Sequence, residues 1–240
     1  MDRPPSRTRT RREALIVAHG QPSAPEPAEA DLARLAGSVA GALPGWRIAA
    51  ATLAAPGALD RALAALDAPL VFPLFMADGW FLRDLLPRRL ADAGLAAPRI
   101  LKPFGLMPGT QACAAAIVAG ALAEAGWRAE DTSLLLAAHG SGRSRFPAAA
   151  AARTAEALGR ALPLRSIATG FLEEDPRLGS AAQGLGQRAL CLPLFVARWS
   201  HVVEDVPSAL AGAGFAGRLL PPLGDHASVP KLIAAALAAG

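Results

Sequence analysis

ALIVAHGQPS (Ala14–Ser23) and LLLAAHGSGRSR (Leu134–Arg145) each run from a continuous apolar stretch into Ala-His-Gly. Their histidines, His19 and His139, stand 120 residues apart in a chain of 240. An apolar run of strand length without polar alternation fits a strand covered on both faces, as in a parallel sheet. The same ungapped offset pairs Pro56 with Pro176, FPLFMA (Phe72–Ala77) with LPLFVA (Leu192–Ala197), and Pro87 with Pro207. KPFG (Lys102–Gly105) meets PPLG (Pro221–Gly224) at an offset of 119. The chain therefore reads as an internal duplication. It divides into a disordered basic tail at 1–12, units at 13–126 and 131–240, and a linker, GWRAED, between them.

Each unit reads as alternating strands and helices. RIAAATL and RSIATGFL are second strands, PLVFPLF and RALCLPLF third strands, PRILKPF and GRLLPPL fourth strands. Ala-rich segments at 29–43 and 148–162 suit helices, with shorter helices at 60–66 and 177–185. FLRDLLPRRLADAG and HVVEDVPSALAGAG read as helices stopped by Gly94 and Gly214, and final helices follow at 109–125 and 229–239. This alternation predicts an α/β fold with two small parallel β-sheets flanked by helices.

Composition narrows the function. Hydrophobic residues make up 52%, enough for a sizeable core, and no apolar run approaches the roughly 20 residues that cross a bilayer. Arg11-Arg12 is followed at once by Glu13 and a strand-like stretch, so no export signal is read and a cytoplasmic protein is expected. Cys113 and Cys191 have no metal-ligand spacing and read as buried reduced thiols. The net charge of +4 lies largely in the tail, with no basic stripe, which argues against a nucleic-acid partner. Binding of an acidic small molecule stays open.

Ligands of parallel α/β sheets bind outside the carboxyl ends of the strands. In the second unit, His139 ends the first strand, Glu173 and Glu174 (in GFLEEDP) end the second, and His201 (in PLFVARWSHVVEDVP) follows the third. Two imidazoles and a carboxylate converging on one mouth suit a divalent Fe, Co, Ni or Zn ion with positions left open. At the equivalent positions the first unit keeps His19 but has Leu53 and Phe81. His19 is then a strand-end remnant or a wall facing substrate. Glu204 and Asp205 read as acids in a helix's first turn, or as partners of His201. His226 reads as a surface residue. Ala18 and Ala138 stand where phosphohistidine enzymes need an arginine before the histidine, which disfavours that chemistry.

LLLAAHGS, GFLEEDP and PLFVARWSHVVEDVP, in this order and duplicated, resemble the sirohydrochlorin chelatase family of class II chelatases over residues 13–240. The resemblance implies two similar chelatase-like domains related by a pseudo-two-fold axis with a cleft between them. It implies ATP-independent insertion of Fe²⁺ or Co²⁺ into sirohydrochlorin, with His139, His201 and Glu173 as the metal and catalytic residues. No permanently bound cofactor is expected. A polycarboxylate substrate calls for cations, and Arg143, Arg145 and Arg198 are the candidates. Ser141 either bonds a substrate carboxylate or caps its turn, and Trp199 either stacks on the macrocycle or packs on the other domain. The chain departs from members whose first half carries both histidines, which favours a single metal site in the second half. A non-catalytic tetrapyrrole- or metal-binding protein is the alternative. Because the duplication can replace a homodimer, a monomer is expected.

Overall fold

The computed structural model describes residues 12–240, and most of the tail expected at 1–12 lies outside them. The first half runs β1 (Glu13–Ala18), α1 (Pro25–Ala42), β2 (Arg47–Thr52), α2 (Ala58–Leu63), β3 (Leu70–Pro73), α3 (Leu86–Asp92), β4 (Arg99–Ile100) and α4 (Pro108–Ala125). The second repeats it as β5 (Ser133–Ala138), α5 (Phe146–Ala161), β6 (Ser166–Phe171), α6 (Leu178–Ala182), β7 (Ala189–Pro193), α7 (Val206–Gly212), β8 (Arg218–Leu219) and α8 (Val229–Ala239). Each half forms a four-stranded parallel sheet, ordered β2-β1-β3-β4 and β6-β5-β7-β8. The expected α/β architecture is present in both copies.

Why the central strands are apolar throughout is visible in what they touch. Ala14, Ile16 and Ala18 of β1, with Leu134, Leu136 and Ala138 of β5, enter one core shared by both halves. The alternating residues turn outward into two separate cores: Leu15 and Val17 meet α2 and α3, while Leu135 and Ala137 meet α6 and α7. Period-2 geometry thus sends each strand into two apolar layers at once.

The last helix of each half packs on the other half. α8 lies against α1 and β3, and α4 lies against α5 and β7. Val229, Ile233 and Leu237 of α8 are fully buried in the shared core.

The helices expected after β3 and β7 begin differently from the sequence reading. Phe81–Leu85 and His201–Asp205 are π-helical turns, closed by bonds from Leu86 N to Phe81 O and from Val206 N to His201 O. Pro87 and Pro207 account for this. Proline has no N–H to give the carbonyl four residues back, and its ring crowds that carbonyl, so a wider turn relieves the conflict. Among the described residues no helix is long and apolar enough to cross a membrane.

Candidate metal centre

His139 follows the last residue of β5, and its Nδ1 lies 3.0 Å from the Gly140 carbonyl. A carbonyl only accepts, so Nδ1 is assigned the proton and Nε2 keeps its lone pair. His201 opens the π-helical turn, and its Nδ1 lies 2.6 Å from Asp205 Oδ2. An ionised carboxylate also only accepts, so the Nε2 lone pair of His201 is free as well. Asp205 is therefore the orienting partner of His201, one of the two roles its position suggested.

The two imidazoles meet edge to face, 4.7 Å between centroids and 81° between planes. An ion about 2.1 Å from each Nε2 and shared at 90–109° would hold ring centroids about 4.6–5.3 Å apart. The observed spacing suits one shared ion. Among the described residues, no third His, Cys, Asp or Glu is gathered into a metal-binding group.

The two acids after β6 are placed differently. β6 ends at Phe171, so Glu173 and Glu174 lie just past the strand. Glu173 N donates to His139 O at 2.9 Å, and its side chain is exposed. Glu174 Oε1 accepts from Ser141 N at 3.1 Å, which ties the acid to the turn after His139. Gly140 has φ +75°, and a Cβ there would meet Glu174 Cγ at 2.8 Å. Only glycine fits that approach. The sequence gives no sign of this contact, because it depends on two strand ends meeting.

Ser141 Oγ accepts from Arg143 N at 3.3 Å, the turn-capping geometry. Arg143 and Arg145 are exposed, and no ion pair engages either among the described residues. Arg198 Nε is paired with Asp225 Oδ2 at 3.0 Å. Trp199 Nε1 donates to Asp31 Oδ2 of α1 at 3.2 Å, and Ser200 N donates to Gln21 Oε1 at 3.2 Å. These bonds join the loop before His201 to the first half.

In the first half, His19 Nδ1 lies 3.0 Å from Gly20 O, as in its counterpart. Its ring meets Phe81 edge to face, with centroids 4.3 Å apart. Phe75 and Trp80 extend this aromatic cluster.

His226 is not the free surface residue its loop suggested. It is half-buried, with Nδ1 2.8 Å from Ser228 Oγ and 3.4 Å from Cys113 Sγ. Cys113 and Cys191 are buried free thiols, as expected. Burial pushes both thiols up, Cys191 to about 12 and Cys113 against a smaller opposing hydrogen bond from Ser228. Neither is a ready thiolate.

The CbiX family model matches residues 133–239. The structure of CbiX, described as the terminal enzyme for biosynthesis of siroheme in denitrifying bacteria, is 49% identical, with 95% of this chain and 99% of that one covered and a TM-score of 0.89. A multi-domain protein of Deinococcus radiodurans with structural similarity to chelatases is 22% identical over 95% of this chain and 55% of its own, with a TM-score of 0.71. SirB from Bacillus subtilis, solved with Fe³⁺, is 14% identical over 95% and 94%, with a TM-score of 0.76, a likeness of fold alone. A comparison with curated proteins found no match.

Proposed function

The chain belongs to the CbiX family of sirohydrochlorin chelatases, and from that premise we propose that it inserts Fe²⁺ into sirohydrochlorin for sirohaem synthesis. Co²⁺ is the competing metal substrate, since oxygen- and nitrogen-donor sites of this kind bind both. The observation that carries the reading is the His139–His201 pair, whose Nδ1 atoms both face acceptors and whose rings share one ion's spacing.

The chemistry follows from those residues. Insertion forms metal–nitrogen bonds and releases two pyrrole protons. The ion enters on Nε2 of His139 and His201, a two-point hold weak enough to pass it on. Glu173, whose backbone N–H is bonded to the His139 carbonyl and whose side chain is exposed, takes one pyrrole proton and the second passes to solvent water as the ring nitrogens replace the imidazoles. Glu174 holds the turn that aims His139, and Asp205 holds His201. No ATP is consumed. Arg143, Arg145 and Ser141 face the peripheral carboxylates, while Arg198 and Trp199 brace the loop before His201 against α1 and Asp225. His19, packed against Phe81 in the first half, is read as a wall residue facing the substrate. On this reading the unit at 13–126 carries a degenerate site and the unit at 131–240 the metal site, in a protein that works as a monomer in the cytoplasm.

A binding protein without catalysis is the second reading, favoured by the lack of a third donor beside the histidine pair among the described residues. Anaerobic absorption spectroscopy separates the two. The purified protein with Fe²⁺ and sirohydrochlorin is expected to form the metallated ring well above the spontaneous rate. A rate equal to the protein-free control leaves only binding.

A further inference from the structure

One contact between the halves lies at the metal loop itself. Phe146 closes the loop that His139 opens, and the Arg83 guanidinium rests over its ring, with Cζ 4.2 Å from the centroid. Arg83 comes from the π-helical turn of the first half, two residues after Phe81. Arg145 Cζ lies 5.9 Å from the same ring. Two guanidinium groups, one from each half, are therefore gathered at one aromatic side chain.

Arg83 is aimed but not used up. Nη2 donates to Asp78 Oδ2 at 2.8 Å and Nε to Asp78 O at 3.2 Å. Three of the five guanidinium N–H groups remain without a protein partner among the described residues, and the side chain is 52% exposed. Asp78 pairs with Arg83 and Asp84 adds its field at the same guanidinium, while no ion pair engages Arg145 among the described residues. Two exposed guanidinium forks with free N–H groups suit a carboxylate.

We infer that Arg83 and Arg145 together bind one peripheral carboxylate of the tetrapyrrole, joining the two halves around the substrate. The inference rests on the chelatase reading for the identity of that substrate. At the repeat-equivalent positions stand Val203, Pro25 and Glu26, so the repeat supplies no second guanidinium pair. A macrocycle with acids around its rim is held by one edge there, and its rotation in the cleft is fixed.

The test is equilibrium binding of metal-free sirohydrochlorin, followed by fluorescence quenching. Arg83→Met keeps a stem over Phe146 and removes the fork; Arg145→Met removes the second charge. Each is expected to weaken binding about tenfold, the scale of a half-exposed charge-assisted hydrogen bond. The double variant is expected to lose less than the product of the two, because both act on one group. Arg83→Lys is expected to recover part of the loss and confirms a folded protein. Co²⁺ affinity should stay unchanged in every variant. Changes below twofold, or fully multiplicative effects, overturn the shared-carboxylate site. If the wild-type protein binds sirohydrochlorin yet fails to metallate it, the catalytic reading falls and this one stands. If it binds none, both fall.

Discussion

His139 and His201 meet edge to face at 4.7 Å and 81°, and His19 and Phe81 keep the same arrangement in the other half, at 4.3 Å and 83°. The backbone frame is thus duplicated faithfully, π-helical turn included. The halves differ in what the second ring offers: a nitrogen lone pair on one side, a benzene edge on the other.

That difference predicts unequal mutants. His139→Ala and His201→Ala are each expected to abolish chelation and to weaken Co²⁺ binding by at least 10²-fold, since either leaves one imidazole. His19→Ala should leave metal affinity within about twofold and change substrate affinity at most. Co²⁺ titration followed by absorption measures all three. An equal loss in His19→Ala would point to an ion bridged between the halves.

It also predicts that a second site can be restored. His19 already directs Nδ1 to Gly20 O, so the missing parts are a donor at 81 and its orienting acid at 85. Phe81→His with Leu85→Asp supplies both, copying His201 and Asp205. Calorimetric titration with Co²⁺ is expected to show two sites where the parent shows one. A single site in the double variant would mean that the first half's frame no longer accepts an ion.

Asp205 is expected to matter through His201 alone. Asp205→Ala removes the acceptor that fixes the ring and its tautomer, and loss of such a partner typically costs 10–100-fold in metal affinity. Glu204→Gln, next to it but without a contact to the imidazole, should leave Co²⁺ affinity unchanged. Comparable losses in the two would argue for a general field effect instead of an oriented imidazole.

How far the sequence reached follows from the range of each interaction. Strands, repeat offset and the strand-end histidines were legible because apolar runs and Ala-His-Gly are local patterns. Gly94 and Gly214 were legible as stops, and both adopt positive φ. The π-helical turns were not, although Pro87 and Pro207 cause them, since proline at that position also suits an ordinary first turn. The grip of Glu174 on Ser141, the contact of Arg83 with Phe146 and the Cys113–His226–Ser228 cluster each join segments more than 30 residues apart. An apolar strand demands cover on both faces, but nothing in its residues says which half provides it.

The two acids at the end of β6 should separate kinetically. Glu173→Gln keeps shape and loses the proton acceptor, so turnover should fall on the order of 10²–10⁴-fold with little change in substrate binding. Glu174→Ala frees the Ser141 amide and the turn carrying His139, so its main effect should be on Co²⁺ affinity. Metallation rates and Co²⁺ titrations on both variants test this. Equal effects on turnover would show that the base had been assigned to the wrong residue.

The exchanged helices predict that the sequence repeats are not folding units. A chain cut in the linker at 126–131 leaves the first half without α8 and the second without α4. Val229, Ile233 and Leu237 are fully buried where α8 meets the first half and the shared core. Burying side chains of this size contributes about 1.5–3 kcal/mol each. Losing that cover therefore costs on the order of 5–9 kcal/mol, comparable with the whole net stability of an ordinary domain. Neither fragment alone is expected to show a cooperative thermal transition. Mixing the two should restore one transition together with Co²⁺ binding, because the exchange needs both chains but not the peptide link. If the 131–240 fragment alone unfolds cooperatively and binds Co²⁺, then α4 is dispensable to the second sheet, and the metal site depends on its own half only.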